Sequence, residues 1–235
     1  MFESLQLKTI TMFKKLLLFF LLFCLQNTWS QIEISRVLSL YSYMNFRNNS
    51  FEDNSVKTEG SQYIDNTFHS STFTCISEAT PPIRYNTYRE EMEFMIEDKL
   101  YFLDKNENCE LKINNITYKY FVNYDNKNND GYLIILNKSK DSKYILYKKE
   151  KVKFVPAYFP GSSYAEEKPP KYVVDKSKYF IKMQNTLTAF PEKKSVLLKL
   201  FPNNKEAIEL FLKENKIKFN EDSSLQLLIN FLNTL

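Results

Sequence analysis

Between Thr72 and Val155, short runs of aromatic and β-branched residues alternate with polar positions and are broken by brief polar turns. This is the pattern of antiparallel strands with one wet face. The runs are Thr72–Ile76, Ile83–Ile96, Leu100–Leu103, Glu110–Ile113, Ile116–Val122, Tyr132–Asn137, Lys143–Lys148 and Lys151–Val155. Between them stand Asn106-Glu107-Asn108, Asn114-Asn115, Asn126 to Gly131 and Ser139 to Ser142, residues that favour turns because their side chains bond the local backbone or tolerate a positive φ. Short connections throughout predict a meander that curls into a half-barrel or sandwich.

The stretch from Pro82 to Leu103 organises this region. Met92 and Phe94 fall on one face of a strand and Glu91 and Glu93 on the other, whereas Ile83 and Tyr85 have the opposite parity. Two structures resolve the conflict. A bulge near Tyr88 within one longer bent strand restores the parity. A two-residue loop at Arg89-Glu90 does so as well, setting Tyr85 opposite Phe94 and Thr87 opposite Met92. Arg-Glu supplies neither Gly nor Asn for such a loop, so the bulged strand is the expectation.

Pro156 to Pro170, with Gly161 and four prolines, reads as a linker or long exposed loop. Beyond it, Tyr172–Val174 and Tyr179–Met183 flank Asp175-Lys176-Ser177-Lys178 as a hairpin, and the remainder reads as helical. Pro191 opens a helix to Leu200, Asn203 with Glu206 begins a second, and Asp222 or Ser223 caps a third whose stripe is Leu228, Phe231, Leu232 and Leu235. The predicted class is α+β, with an antiparallel β domain at 59–156, a linker at 157–170, and a hairpin plus helices at 171–235. Residues 31–58 form an N-terminal segment: from Gln31 to about Arg47 the periodicity does not choose between strand and short helix, and Asn48 to Ser61, polar with Gly60, reads as loop.

The first 30 residues change the picture of address. Lys14 and Lys15 precede ten apolar residues, Leu16 to Leu25, and Thr28 and Ser30 stand at −3 and −1 of a cut before Gln31. That is a secretory signal peptide, so the protein is expected to be exported to the periplasm or the extracellular space. The bulky Phe23 argues against lipidation of Cys24. Removal of residues 1–30 takes Lys8, Lys14, Lys15 and Glu3 and lowers the formal charge from +4 to +2. It also leaves two cysteines, Cys75 and Cys109, which in an oxidising compartment either bridge or remain separate thiols.

Candidate chemistry is sparse. The chain has 1 His and 3 Gly, which disfavours His-based metal sites, catalytic triads and phosphate-cradling loops; no cofactor and no metal are expected. His69, in a polar segment, reads as surface. Glu91 and Glu93 are about 6.7 Å apart on one strand face, near the separation used in inverting glycoside hydrolysis. The plainer reading is the wet face of a strand. Lys149, Lys151 and Lys153 share a face in a lysine-crowded hairpin and are candidates for binding anionic lipid or polysaccharide. Export excludes nucleic acid as the natural partner. Tyr118 and Tyr120, with Tyr132, Tyr144 and Tyr147, are candidates for a ligand platform, against ordinary cross-strand packing.

Gly60-Ser61-x-Tyr63, then Arg84-Tyr85-Asn86-x-Tyr88-x-x-Glu91-x-Glu93-Phe94, then Asn215-Lys216-Ile217-Lys218-Phe219 before a last helix, together resemble a family of exported bacterial proteins to which no activity is assigned. The resemblance runs from about Glu59 to Leu235 and carries over no functional residue. The expected function is therefore a non-catalytic exported or envelope protein with a binding or structural role. The alternatives are a hydrolase using Glu91 and Glu93, or an anionic-surface binder. Cleavage between Ser30 and Gln31 is the first testable consequence: intact mass of the secreted material should give a chain starting at Gln31. A product starting at Cys24, or one keeping residues 12–30, overturns it.

Overall fold

The computed structural model describes residues 46–48, 58–75, 80–96, 98–139, 142–159 and 166–235. The expected signal peptide and Cys24 lie outside the described residues, as does most of the 31–58 segment. Among the described residues, thirteen strands and three α-helices follow one another in an α+β arrangement with an open, unclosed sheet. Phe46–Ser77 and Pro81–Leu235 gather into one compact unit.

The larger sheet holds seven strands in the order β13-β12-β9-β8-β7-β6-β2, all antiparallel. They are β2 (Ser71–Phe73), β6 (Glu110–Ile113), β7 (Ile116–Phe121), β8 (Gly131–Asn137), β9 (Tyr144–Lys149), β12 (Lys178–Met183) and β13 (Thr186–Ala189). The β6–β7 turn is the expected Asn114-Asn115, where Asn114 takes a φ of 52°. A second sheet of four runs β1-β5-β4-β3, from β1 (Phe46–Asn48), β5 (Lys99–Leu103), β4 (Glu91–Ile96) and β3 (Ile83–Asn86). A two-stranded ribbon joins β10 (Val152–Val155) to β11 (Lys171–Val174).

Alternation assigns the faces of the large sheet. Leu146 of β9 and Ile181 of β12 lie under the helices α1 (Lys194–Leu200), α2 (Lys205–Glu214) and α3 (Asp222–Leu232). These helices contribute Leu197, Leu198, Ile208, Leu212, Leu225, Leu228, Ile229 and Leu232 to one buried cluster. Cross-strand pairing places Lys148, Ile134 and Tyr118 on that same face, nearer β7. There Tyr85 of β3 packs on Tyr118 and Tyr132, with ring centroids 5.3 and 5.8 Å apart. The helices and the β3–β4 hairpin thus share one face of the sheet. Leu133, Tyr147 and Phe180 form a smaller cluster on the other.

Three expectations are corrected. Residues 83–96 are not one bulged strand. They make a hairpin whose four-residue loop, Thr87 to Glu90, is closed by Glu90 at φ 57°. Its register sets Ile83 opposite Phe94 and Tyr85 opposite Met92, which restores the parity with a loop two residues longer than the alternative at Arg89-Glu90. Residues 172–183 do not form a hairpin either: β11 turns back to β10, while β12 pairs with β9 and β13. Pro156 to Pro170 consequently connects paired strands within one unit, and strands from both sides of it share the large sheet. Finally, Thr186–Ala189 is an edge strand where helix was expected; Thr-Leu-Thr has the alternation and branching of a strand.

Cys75 and Cys109 are bridged, with Cα atoms 5.4 Å apart. The bridge stands where the short edge strand β2 meets β6, beside the Thr74 N–H bond to the Glu110 carbonyl. It closes a separation of 34 residues, for which loop-closure entropy gives a stabilisation of about 3–4 kcal/mol. A Cys75→Ser, Cys109→Ser double variant should lose that amount in chemical denaturation relative to the oxidised protein. Equal midpoints would show that β2 is held by its other contacts.

Candidate functional site

The sequence leads first to Glu91 and Glu93, and the structure separates them. Glu93 is 0% exposed, and the expected wet strand face is covered by the segment before β2. Three donors surround its carboxylate: Tyr63 Oη and Arg84 Nε reach Oε2, and Asn86 Nδ2 reaches Oε1, each at 2.8 Å. Arg84 also donates to the Tyr63 hydroxyl at 2.8 Å and to the Asn66 carbonyl at 3.3 Å, between the rings of Tyr63 and Phe68. Gln62 accepts from Asn86 at 3.0 Å and donates to the Tyr172 hydroxyl at 3.0 Å. Burial, reinforced by the Glu93 charge, pushes the Tyr63 hydroxyl up to about 12. Glu91 instead lies 3.3 Å from Lys105. A carboxylate with three protein donors and no exposed surface is out of a substrate's reach.

This cluster needs the 58–69 segment in place. Glu59 donates to the Pro170 carbonyl and accepts from Tyr172 N–H, and Gly60 follows with a φ of 77°. A Cβ at Gly60 would lie 2.4 Å from the Tyr172 carbonyl oxygen, so only glycine fits both the conformation and the approach.

The lysine stripe is also dispersed. Lys149 is 3% exposed, not open with Lys151 and Lys153, because β9 ends at Lys149 and β10 begins anew at Val152. Its ammonium contacts Glu90 at 2.5 Å and bonds Tyr85 Oη and the Tyr132 carbonyl at 3.0 Å each. Burial lowers its pKa, with Glu90 working against that shift. Glu90 also accepts from Tyr85 Oη at 2.6 Å. Gly131 leaves room for the pair: a Cβ there would stand 2.8 Å from the Glu90 carboxylate and 3.2 Å from Lys149 Nζ. Elsewhere Lys138 meets Glu110, Lys153 meets Asp175, and Lys148 meets both Glu150 and Asp222. Lys151 is exposed.

Tyr118, Tyr120, Tyr132 and Tyr147 are buried by packing, not arrayed as an open platform. Tyr120 and Tyr132 meet at 5.2 Å, and Tyr147 meets Phe121 at 5.1 Å. Tyr144 is half-buried against Phe201. Among the described residues no group of three or more His, Cys, Asp or Glu is placed to hold a metal ion.

One cleft lies beside the buried cluster. Its volume is about 130 Å³, and Ile64, Asp65, His69, Arg84, Tyr85, Thr87, Ile113, Ile116, Tyr118 and Glu150 are among its lining. Asp65 bonds His69 Nε2 at 2.8 Å and accepts from Thr67 N–H at 2.9 Å; the Thr67 bond, then His69, hold its carboxyl below the usual range. Sequence reasoning named His69 only as surface and missed the cleft, because Thr87, Tyr118 and Glu150 come from three distant strands and loops. Comparison with protein-family models, with curated proteins and with solved structures found no match to this chain.

Glu93→Gln would leave Arg84 without its charge partner inside the fold. It should cost about 3–5 kcal/mol, as does breaking a buried pair from one side. Urea denaturation measures this, and a loss below about 1 kcal/mol, the scale of an exposed pair, would contradict the structural role given to the cluster.

Proposed function

We propose that the mature protein is an exported, non-catalytic protein that acts by binding or as a structural part of the cell envelope. The observation that carries this reading is the state of Glu93. The carboxylate that most invited a hydrolytic mechanism has no exposed surface and is bonded to Tyr63, Arg84 and Asn86. General acid–base work needs a group within reach of the substrate's proton, and a two-carboxylate mechanism needs both groups open to one cavity. Binding needs neither. The signal-like N-terminus and the resemblance to exported proteins support the export half of the reading.

The purified mature protein is expected to show no turnover of polysaccharide, peptidoglycan, ester or peptide substrates. Glu91→Gln is the informative companion, since Glu91 lies outside the Glu93 cluster and its loss should leave the fold intact. Turnover by the wild type that vanishes in a normally folded Glu91→Gln variant would overturn the proposal.

A further inference from the structure

Two buried hydroxyls open into the cleft without a protein partner. Tyr118 is 7% exposed and Thr87 is 1% exposed, yet neither hydroxyl is hydrogen-bonded to another described residue. No fully enclosed side-chain polar atom among the described residues lacks a partner, so each of these hydroxyls keeps a small accessible area, and both residues line the cleft. Hydroxyls kept unpaired at the floor of a cleft fit a ligand that supplies the missing bond.

The charges around the cleft select the kind of ligand. Asp65 and Glu150 both line it, and both act on the Tyr118 hydroxyl, raising its pKa after burial itself. Glu150 has Lys148 at 3.0 Å, but Lys148 is shared with Asp222 at 2.9 Å, so one cation serves two carboxylates. Arg84 lines the wall with its charge matched by Glu93 at 2.8 Å. His69 bonds Asp65. The balance is an excess of negative charge above apolar walls from Ile64, Ile113 and Ile116. A cleft of about 130 Å³ takes the end of an alkyl chain more readily than a whole sugar ring.

We infer that this cleft binds a primary alkylammonium group, its methylenes against Ile64, Ile113 and Ile116 and its ammonium donating toward Tyr118, Thr87 and the carboxylates of Glu150 and Asp65. This deepens the binding reading above and rests on it. The same chemistry is offered by a free aliphatic amine and by a lysine side chain of a polypeptide.

The test is titration of the full mature protein, followed by amide chemical shifts, with n-butylammonium, with Nα-acetyl-lysine methyl amide and with n-butanol. Millimolar or tighter binding of n-butylammonium, with shifts at Thr87 and Tyr118 and much weaker binding of n-butanol, is expected. Stronger binding of the lysine amide than of n-butylammonium identifies a peptide source, and the reverse identifies a free amine; either supports the inference. Tyr118→Phe removes a hydroxyl that bonds nothing in the fold, so its melting temperature should match the wild type. Its affinity for n-butylammonium should fall about tenfold, the weight of a hydrogen bond to a charged group. Glu150→Gln should weaken binding similarly. No binding of either amine, equal binding of n-butanol, or unchanged affinity in Tyr118→Phe overturns the inference. Substrate turnover on the same samples is a separate readout: catalysis would remove the non-catalytic reading without touching the ammonium result, and an inert protein that binds no amine would remove the ammonium result alone.

Discussion

Burying the Glu93 carboxylate sets the terms for the β3–β4 hairpin and everything folded over it. Taking a carboxylate out of water costs several kcal/mol even after relaxation, and only charged or multiple donors offset it. Here the donors come from two places in the chain, Arg84 and Asn86 on the facing strand and Tyr63 from the segment before β2. Arg84 lies directly opposite Glu93 in the ladder. A one-residue slip would turn Glu93 onto the face that packs against Tyr118 and leave the guanidinium unmatched. The pair therefore penalises the wrong register as much as it stabilises the right one.

A second buried pair fastens the hairpin to the large sheet. The rings of Tyr85, Tyr118 and Tyr132 meet on one face, while Lys149 and Gly131 belong by alternation to the other. Glu90 reaches past Gly131 to Lys149, which has room only because Gly131 carries no side chain. At the other end of the same sheet the helices are held differently. Leu197, Ile208, Leu225, Leu228 and Ile229 pack on Leu146 and Ile181 through non-directional apolar burial, with Lys148, Asp222 and Tyr179 as a polar tie at the rim. Directional bonds set the position of the hairpin, and apolar area sets that of the helices.

Much of the fold was legible because alternation and turn residues are local. The strands of the meander, the Asn114-Asn115 turn and the three C-terminal helices all announce themselves within a few residues. What was not legible is long-range. Glu91 to Phe94 reads as a strand with one wet face, and nothing within it shows that Tyr63 and Asn86 seal that face. Lys149 carries the same local signal as Lys151, yet it is buried because Glu90, far earlier in the chain, turns toward it. Likewise Tyr172–Val174 and Tyr179–Met183 look like hairpin partners until β10 and β9 compete for them and win with longer or better-matched ladders. Partner choice between strands is a global contest that periodicity does not score.

The network around Glu93 draws its members from well-separated parts of the chain. Gly60 sits against Tyr172, Tyr63 and Asn86 bond Glu93, Arg84 pairs with it, and Tyr88 packs on Tyr172. A buried, fully bonded network tolerates few substitutions because removing one member strands the others. Such a network fixes the hairpin whatever the cleft beside it holds. The cleft shares Arg84 and Tyr85 with the hairpin, but Asp65, Thr87, Tyr118 and Glu150, which also line it, make no bond to Glu93. Substitution at those four positions would therefore alter the cleft and leave the bonds to Glu93 in place.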